Sequence, residues 1–197
     1  MAELGSRQVQ DALAALASRS EPPAAGVASA LATATAAALV ELTAGLAADR
    51  LGREGSDAAT GAAERQRSLA KTAAELRERL LAIADDDVRT YSQVSRADNE
   101  DAHARALDRA SGPPLAIAEC AAQVAEAASE TARAGDWPFR ADARVAGELA
   151  AAAAAAGAEM VSTHLAESPG DPRIARAREA AARARRASES AAGWAAG

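Results

Sequence analysis

Alanine is the feature of this sequence that most constrains its fold, because it makes up roughly a third of all residues. Helices favour alanine, which loses no side-chain entropy when it is ordered, whereas strands favour β-branched and aromatic residues. The 197 residues include only one Phe, one Tyr and two Trp. The sequence therefore predicts an all-α fold, a multi-helix bundle with Ala-rich central helices. Alanine buries little area per side chain, so we expect helix axes that approach closely and subunits that associate.

The charge and cysteine content exclude several classes of function. The net charge is −6, so the basic surface that general nucleic-acid binding requires is not expected. The sequence has a single cysteine, Cys120, so no intrachain disulfide can form. It also has no cluster of Cys and His residues of the kind that binds zinc. Both observations favour a protein of the reducing cytoplasm. The most apolar run, residues 24–48, contains Glu41 and is interpreted as a buried core helix, not a membrane span. We also expect no signal peptide in the first 20 residues.

Helix-start and helix-stop signals predict where the helices lie. Gly52, Gly55, Ser56 and Gly61 indicate that residues 51–61 form an exposed loop. The predicted helices are one that begins after Ser6 and ends before the turn at residues 20–23, then about 26–48, 62–97, a short one ending at Ala110, 115–134, 142–167 and a basic C-terminal helix at 173–190.

The predicted helix at 62–97 carries an acidic residue in the middle of its apolar face. At about 100° per residue, Asp87 falls inside an apolar arc of about 80°, whereas Asp85 and Asp86 point elsewhere. A carboxylate in such a stripe costs stability unless it is paired, neutralised or set beside a wet cavity. The arc consists of Leu69, Leu76, Leu80, Ile83, Tyr91 and Val94.

Several short motifs follow one another in a distinctive order. They are Pro23-Ala24-Ala25-Gly26-Val27 before the Ala-rich helix, Arg50 after it, Asp85-Asp86-Asp87 with Tyr91, Pro113-Pro114-Leu115, and Gly135-Asp136 followed by Arg140-Ala141-Asp142. This order resembles the formiminotransferase-cyclodeaminase C-terminal family, which includes stand-alone methenyltetrahydrofolate cyclohydrolases. The family has Pro-Gly-Gly-Gly-Ser at the first motif and a Gly-Asn loop at the last. The resemblance covers about residues 4–168, which we take as the core of a single domain spanning 1–197.

The resemblance implies a helical homodimer that acts on a one-carbon unit bridging N5 and N10 of tetrahydrofolate. Relatives either close 5-formiminotetrahydrofolate to the methenyl form with loss of ammonia, or hydrolyse the methenyl ring to 10-formyltetrahydrofolate. Neither reaction needs a metal or a redox cofactor; both need proton transfer, which a positioned carboxyl group can supply. The residues implied are Asp87 and Asp85 for catalysis, and Asp142, Arg140, Arg50, Tyr91 and Gly26 for substrate binding.

Each of these residues also has a plainer interpretation. Asp87 can form an ion pair with an arginine, Asp85 can be an exposed acid, and Asp142 can cap a helix. The two arginines can lie on the surface, and Tyr91 can be core packing. A solvated face is the favoured interpretation of the C-terminal arginines, ahead of an anion-binding tail.

Two other functions remain open. Ala24, Ala25 and Val27 replace two glycines and the serine of the family turn, so the chain can instead be a non-catalytic relative that acts as an interaction or regulatory subunit. A helical interaction protein outside the family is the third hypothesis.

Overall fold

A computed structural model describes residues 7–18, 25–134 and 138–192. Every regular element in these ranges is a helix, which confirms the all-α prediction. The helices are α1 (Arg7–Leu16), α2 (Ala25–Glu54), α3 (Asp57–Ser95), α4 (Glu100–Ala110), α5 (Gly112–Ala132), α6 (Arg140–His164) and α7 (Pro172–Ala192).

Helices α2 and α3 form a long antiparallel pair. Gly26 at the start of α2 lies against Asp87 near the end of α3. Midway along the pair, Arg77 Nε donates a hydrogen bond to Glu41 Oε2 at 3.1 Å. The start of α2 therefore lies beside the end of α3, and the end of α2 lies beside the start of α3.

The predicted loop at residues 51–61 is wrong. Helix α2 continues to Glu54 and α3 begins at Asp57, so the connection is only two residues long. Gly55 turns the chain with a φ of 70°, a conformation that other residues rarely adopt. Ser56 then caps α3, because its Oγ accepts a hydrogen bond from the Ala59 N–H at 3.2 Å.

Helix α5 lies at the centre of the bundle and contacts α2, α3, α6 and α7. Helix α7 runs parallel to α5 in a constant register. Three cross-links, each seven residues after the last, join the two helices: Arg176 to Glu119, Arg183 to Glu126, and Arg133 to Ser190. The main core cluster draws its mostly alanine side chains from α2, α3, α5, α6 and α7, as expected for helices that approach closely.

Two of these helices, α2 and α6, are long and apolar enough by length and composition to cross a membrane. Both pack against other helices in the bundle, and the core helices of soluble proteins meet the same criterion. The absence of a membrane partner therefore stays a prediction.

Helix α1 leaves two apolar side chains uncovered. Val9 and Leu13 are both exposed. Ser6 and the turn predicted at residues 20–23 lie outside the described residues.

Candidate functional site

Asp87 points into the protein, as the helical phase of α3 predicts. Only 6% of its surface is exposed. Asp85 is exposed, and Asp86 is half-buried and accepts a hydrogen bond from Arg89 Nη2 at 2.6 Å. Of the three consecutive acids, Asp87 alone is buried.

The Asp87 carboxyl group lies directly against Gly26 in the first turn of α2. A Cβ atom added to Gly26 would overlap with the Asp87 carboxyl group, so no larger residue fits there without moving Asp87. Gly26 is also the one glycine that this sequence retains where the family turn has three. The first turn of a helix has N–H groups without helical partners and favours negative charge, so this position offsets part of the cost of ionising the buried Asp87.

No described residue donates a hydrogen bond to the Asp87 side chain or forms an ion pair with it. The predicted alternative, an ion pair with an arginine, is therefore not found in this part of the chain. Burial, and secondarily the neighbouring charge of Asp86, raise the pKa of Asp87 from 3.8 to about 6. A carboxyl group with that pKa has both its acid and its base form available near neutral pH, as proton transfer requires.

Tyr91 lies one helical turn after Asp87 on α3. Its ring stacks on the His164 ring, with centroids 5.7 Å apart and planes at 30°. His164 Nδ1 lies 3.0 Å from the Ala110 carbonyl oxygen; since a carbonyl only accepts, Nδ1 donates in that bond. Burial lowers the pKa of His164, which favours the neutral ring. Tyr91 also packs against a small cluster formed by Val94, Ala106 and Ala110, where α3 meets α4.

Sequence reasoning did not place His164 beside this site. His164 follows Met160 by four residues, and this spacing is compatible with a ring that faces either the core or a cleft. The stacking partner is on another helix, so helical spacing within α6 carries no signal for it.

The remaining predicted site residues lie at the opposite end of the bundle. Arg50 Nη2 donates a hydrogen bond to the Ala134 carbonyl oxygen at 3.2 Å, just beyond the end of α5. Helix α6 begins at Arg140, so Asp142 lies within its first turn and not at the cap. Gly26 and Arg50 are 24 residues apart on one helix, or about 36 Å at 1.5 Å per residue.

The structure thus places Gly26 against Asp87, with Tyr91 one helical turn away, and puts Arg50 far from them within one subunit. Residues 23, 24, 135 and 136 of the predicted motifs lie outside the described residues. Within the described ranges, no three His, Cys, Asp or Glu residues are grouped as metal ligands would be. Cys120 is buried in the core, and burial raises the pKa of its thiol.

Comparison with known proteins identifies a family and a similar fold. The sequence profile described as formiminotransferase-cyclodeaminase matches residues 8–184. The chain is also similar in structure to formiminotetrahydrofolate cyclodeaminase from Thermotoga maritima, with a TM-score of 0.82 and 18% sequence identity over 96% of each chain. At that identity the likeness speaks for the fold alone. Among curated protein sequences, none matches the chain.

Proposed function

Because the chain belongs to the formiminotransferase-cyclodeaminase family, we propose that it is a folate one-carbon enzyme, a formiminotetrahydrofolate cyclodeaminase or a methenyltetrahydrofolate cyclohydrolase. The observation that carries the proposal is Asp87: a buried carboxyl group with a pKa raised to about 6 and no partner among the described residues. Perturbed, unpartnered acids of this kind are typical of catalytic sites.

Asp87 serves as the proton-transfer group in either reaction. In the cyclodeaminase reaction, its acid form protonates the amino group that leaves as ammonia when the ring closes. In the cyclohydrolase reaction, its carboxylate form accepts a proton from the water that attacks the methenyl carbon. Tyr91, one turn away, contributes to binding the substrate. Asp85 is exposed on the other side of α3. We therefore assign the proton transfer to Asp87 and not to Asp85.

The proposal includes a homodimer. Leu42, Leu81 and Val88 are exposed apolar residues of α2 and α3, with 51%, 46% and 42% of their surfaces accessible. Leu42 and Leu81 lie near the middle of the antiparallel pair, close to the Glu41–Arg77 ion pair. A twofold axis there sets the Asp87 end of one subunit beside the Arg50 end of its partner. Such a dimer unites the two groups of predicted site residues that one subunit keeps about 36 Å apart.

The proposed reactions use no metal and no redox cofactor, so tetrahydrofolate derivatives are the only small molecules required. The single cysteine supports a cytoplasmic protein, and the acidic net charge supports one without a nucleic-acid partner. The packing of α2 and α6 against other helices supports one without a membrane partner.

A non-catalytic role as an interaction or regulatory subunit is the second candidate. Ala25 and Val27 flank Gly26 in the first turn of α2, where the family has glycine and serine. Alanine and valine are larger than glycine and lack the hydroxyl group of serine. This role predicts no turnover of either folate by the wild-type protein.

The test compares turnover of 5-formiminotetrahydrofolate and methenyltetrahydrofolate by the wild type and Asp87→Asn. We expect Asp87→Asn to lower kcat by about 10²-fold or more, while calorimetric titration with 5-formyltetrahydrofolate still shows binding. Glu78→Gln, an exposed acid of the same helix, is the matched control and should leave kcat unchanged. Unchanged turnover in Asp87→Asn removes Asp87 from the mechanism, and an inactive wild type supports the second candidate.

A further inference from the structure

Two of the six arginines of α7 have no carboxylate partner among the described residues. Arg173 bonds to Asp108 and Asp171, Arg176 to Glu119, Arg183 to Glu126 and Arg186 to Glu179. Arg178 and Arg185 form no ion pair or hydrogen bond with any described residue. They lie seven residues apart, so both project from one side of α7, about 10 Å apart along its axis.

Both of these arginines line a groove of about 610 Å³ between α6 and α7. Each helix contributes residues at spacings of three and four, which keeps one face of each turned toward the groove. Four of the residues that line the groove are alanines, at positions 155, 158, 181 and 182. Small side chains there leave open space beneath the long arginine side chains.

The charges around the groove favour a negatively charged ligand. The residues that line the groove include three arginines and one carboxylate: Arg178, Arg185, Arg186 and Glu159. Arg186 is neutralised by Glu179 at 2.9 Å, which leaves two cations and one anion. Ser162 adds a hydroxyl group to the same wall. The guanidinium group binds phosphate and carboxylate oxygens through paired hydrogen bonds.

We propose that the α6–α7 groove binds a small linear polyanion, a chain of phosphate or carboxylate groups, with Arg178 and Arg185 contacting separate negative groups of the chain. The site is independent of Asp87. On the face of α7 that meets α5, Arg176 and Arg183 are paired with glutamates, whereas Arg178 and Arg185 on the face that meets α6 are not.

The test is calorimetric titration of the full chain with inorganic tripolyphosphate and, separately, with a tri-aspartate peptide. We expect saturable one-to-one binding of at least one probe, and the tighter probe identifies the chemistry of the chain. The double variant Arg178→Gln/Arg185→Gln should weaken binding by about tenfold or more, since two charge contacts are lost.

The control is Arg176→Gln/Arg183→Gln, which removes the same charge from the α5-facing side of the same helix and should weaken binding by no more than about twofold. Glu159→Gln removes the opposing carboxylate from the groove and should tighten binding. Equal weakening by both double variants, or no saturable binding of either probe at millimolar concentration, overturns the proposal.

Discussion

Burial of Asp87 gives the native protein a defined pH dependence. The pKa is about 6 in the folded chain and near 3.8 when the group is free in water. Between these values the folded protein holds a proton that the unfolded chain has released, so the free energy of unfolding falls as pH rises through this window. Above about pH 6 the ionised group costs the fold roughly 2–3 kcal/mol, at 1.36 kcal/mol per unit of pKa.

Asp87→Asn should therefore stabilise the protein while it lowers turnover. Asparagine has the same shape and no charge, so the free energy of unfolding at pH 7–8 should rise by roughly 2 kcal/mol, and the gain should shrink toward pH 4. Urea denaturation at several pH values measures it. Asp85→Asn, on the exposed side of α3, should show no such trend. A variant that is less stable at every pH would contradict the assigned burial.

The sequence predicts the inward position of Asp87 but not its neighbours. The 100° phase of a helix depends only on residue number, which is why Asp87 could be found among three acids. The contact with Gly26 and the stacking of Tyr91 on His164 join residues that are far apart in the sequence. No local pattern encodes such contacts.

At the scale of the element, glycine proved a poor guide to where α2 and α3 end. Gly52 and Gly61 lie inside helices and not in the predicted loop. Glycine in a helix costs only about 1 kcal/mol relative to alanine, and burial of Leu51, Ala59 and Ala63 along the pair outweighs it. The helix propensity of the sequence determines that α2 and α3 are helices, and the packing of the two helices against each other determines how long each one is.

The close approach of α2 to α3 predicts opposite effects for two glycines of the same helix. Gly26→Ala should destabilise the protein by about 1–3 kcal/mol and reduce turnover, because the new Cβ atom displaces the Asp87 carboxyl group. Gly45→Ala, where a Cβ meets nothing within 4 Å, should stabilise it by about 0.5–1 kcal/mol.

A double-mutant cycle tests whether Asp87 is the cause of the Gly26 effect. Most of the destabilisation by Gly26→Ala should disappear when Asp87→Ala is also present, because the two side chains no longer compete for one space. Equal stabilities of Gly26→Ala and Gly45→Ala would show that the two helices do not approach closely at this point.

At the scale of the whole molecule, composition predicts a helical bundle but not how its helices pack. Alanine content leaves the order of packing open, and both parallel and antiparallel neighbours occur: α2 and α3 run in opposite directions, whereas α5 and α7 run in the same direction. The register of α5 and α7 depends on pairs such as Glu126 with Arg183, whose partners are recognisable only once the fold is known. The order of the motifs indicates the family. It does not indicate how far apart the predicted site residues lie in the folded chain.

The proposed dimer predicts that two inactive variants restore activity when mixed. If Asp87 of one subunit works with Arg50 of the partner, a dimer of Asp87→Asn and Arg50→Gln subunits has one intact site. Random assortment then returns about a quarter of wild-type turnover. Leu81→Asp, placed in both chains, should prevent the recovery by weakening association, whereas Val145→Asp, exposed on α6, should not. No recovery in the mixture would mean that the two ends do not cooperate across subunits.

The most direct measurement is the pKa of the Asp87 carboxyl group itself, followed by carbon-13 NMR of the side-chain carbon across a pH titration, with Asp87→Asn to assign the signal. An inward carboxyl group that lies against the first turn of α2 and has no partner among the described residues predicts a midpoint near 6. A midpoint at or below about 4, the value of a solvated or ion-paired aspartate, would contradict the account and leave the proposed proton transfer without its acid.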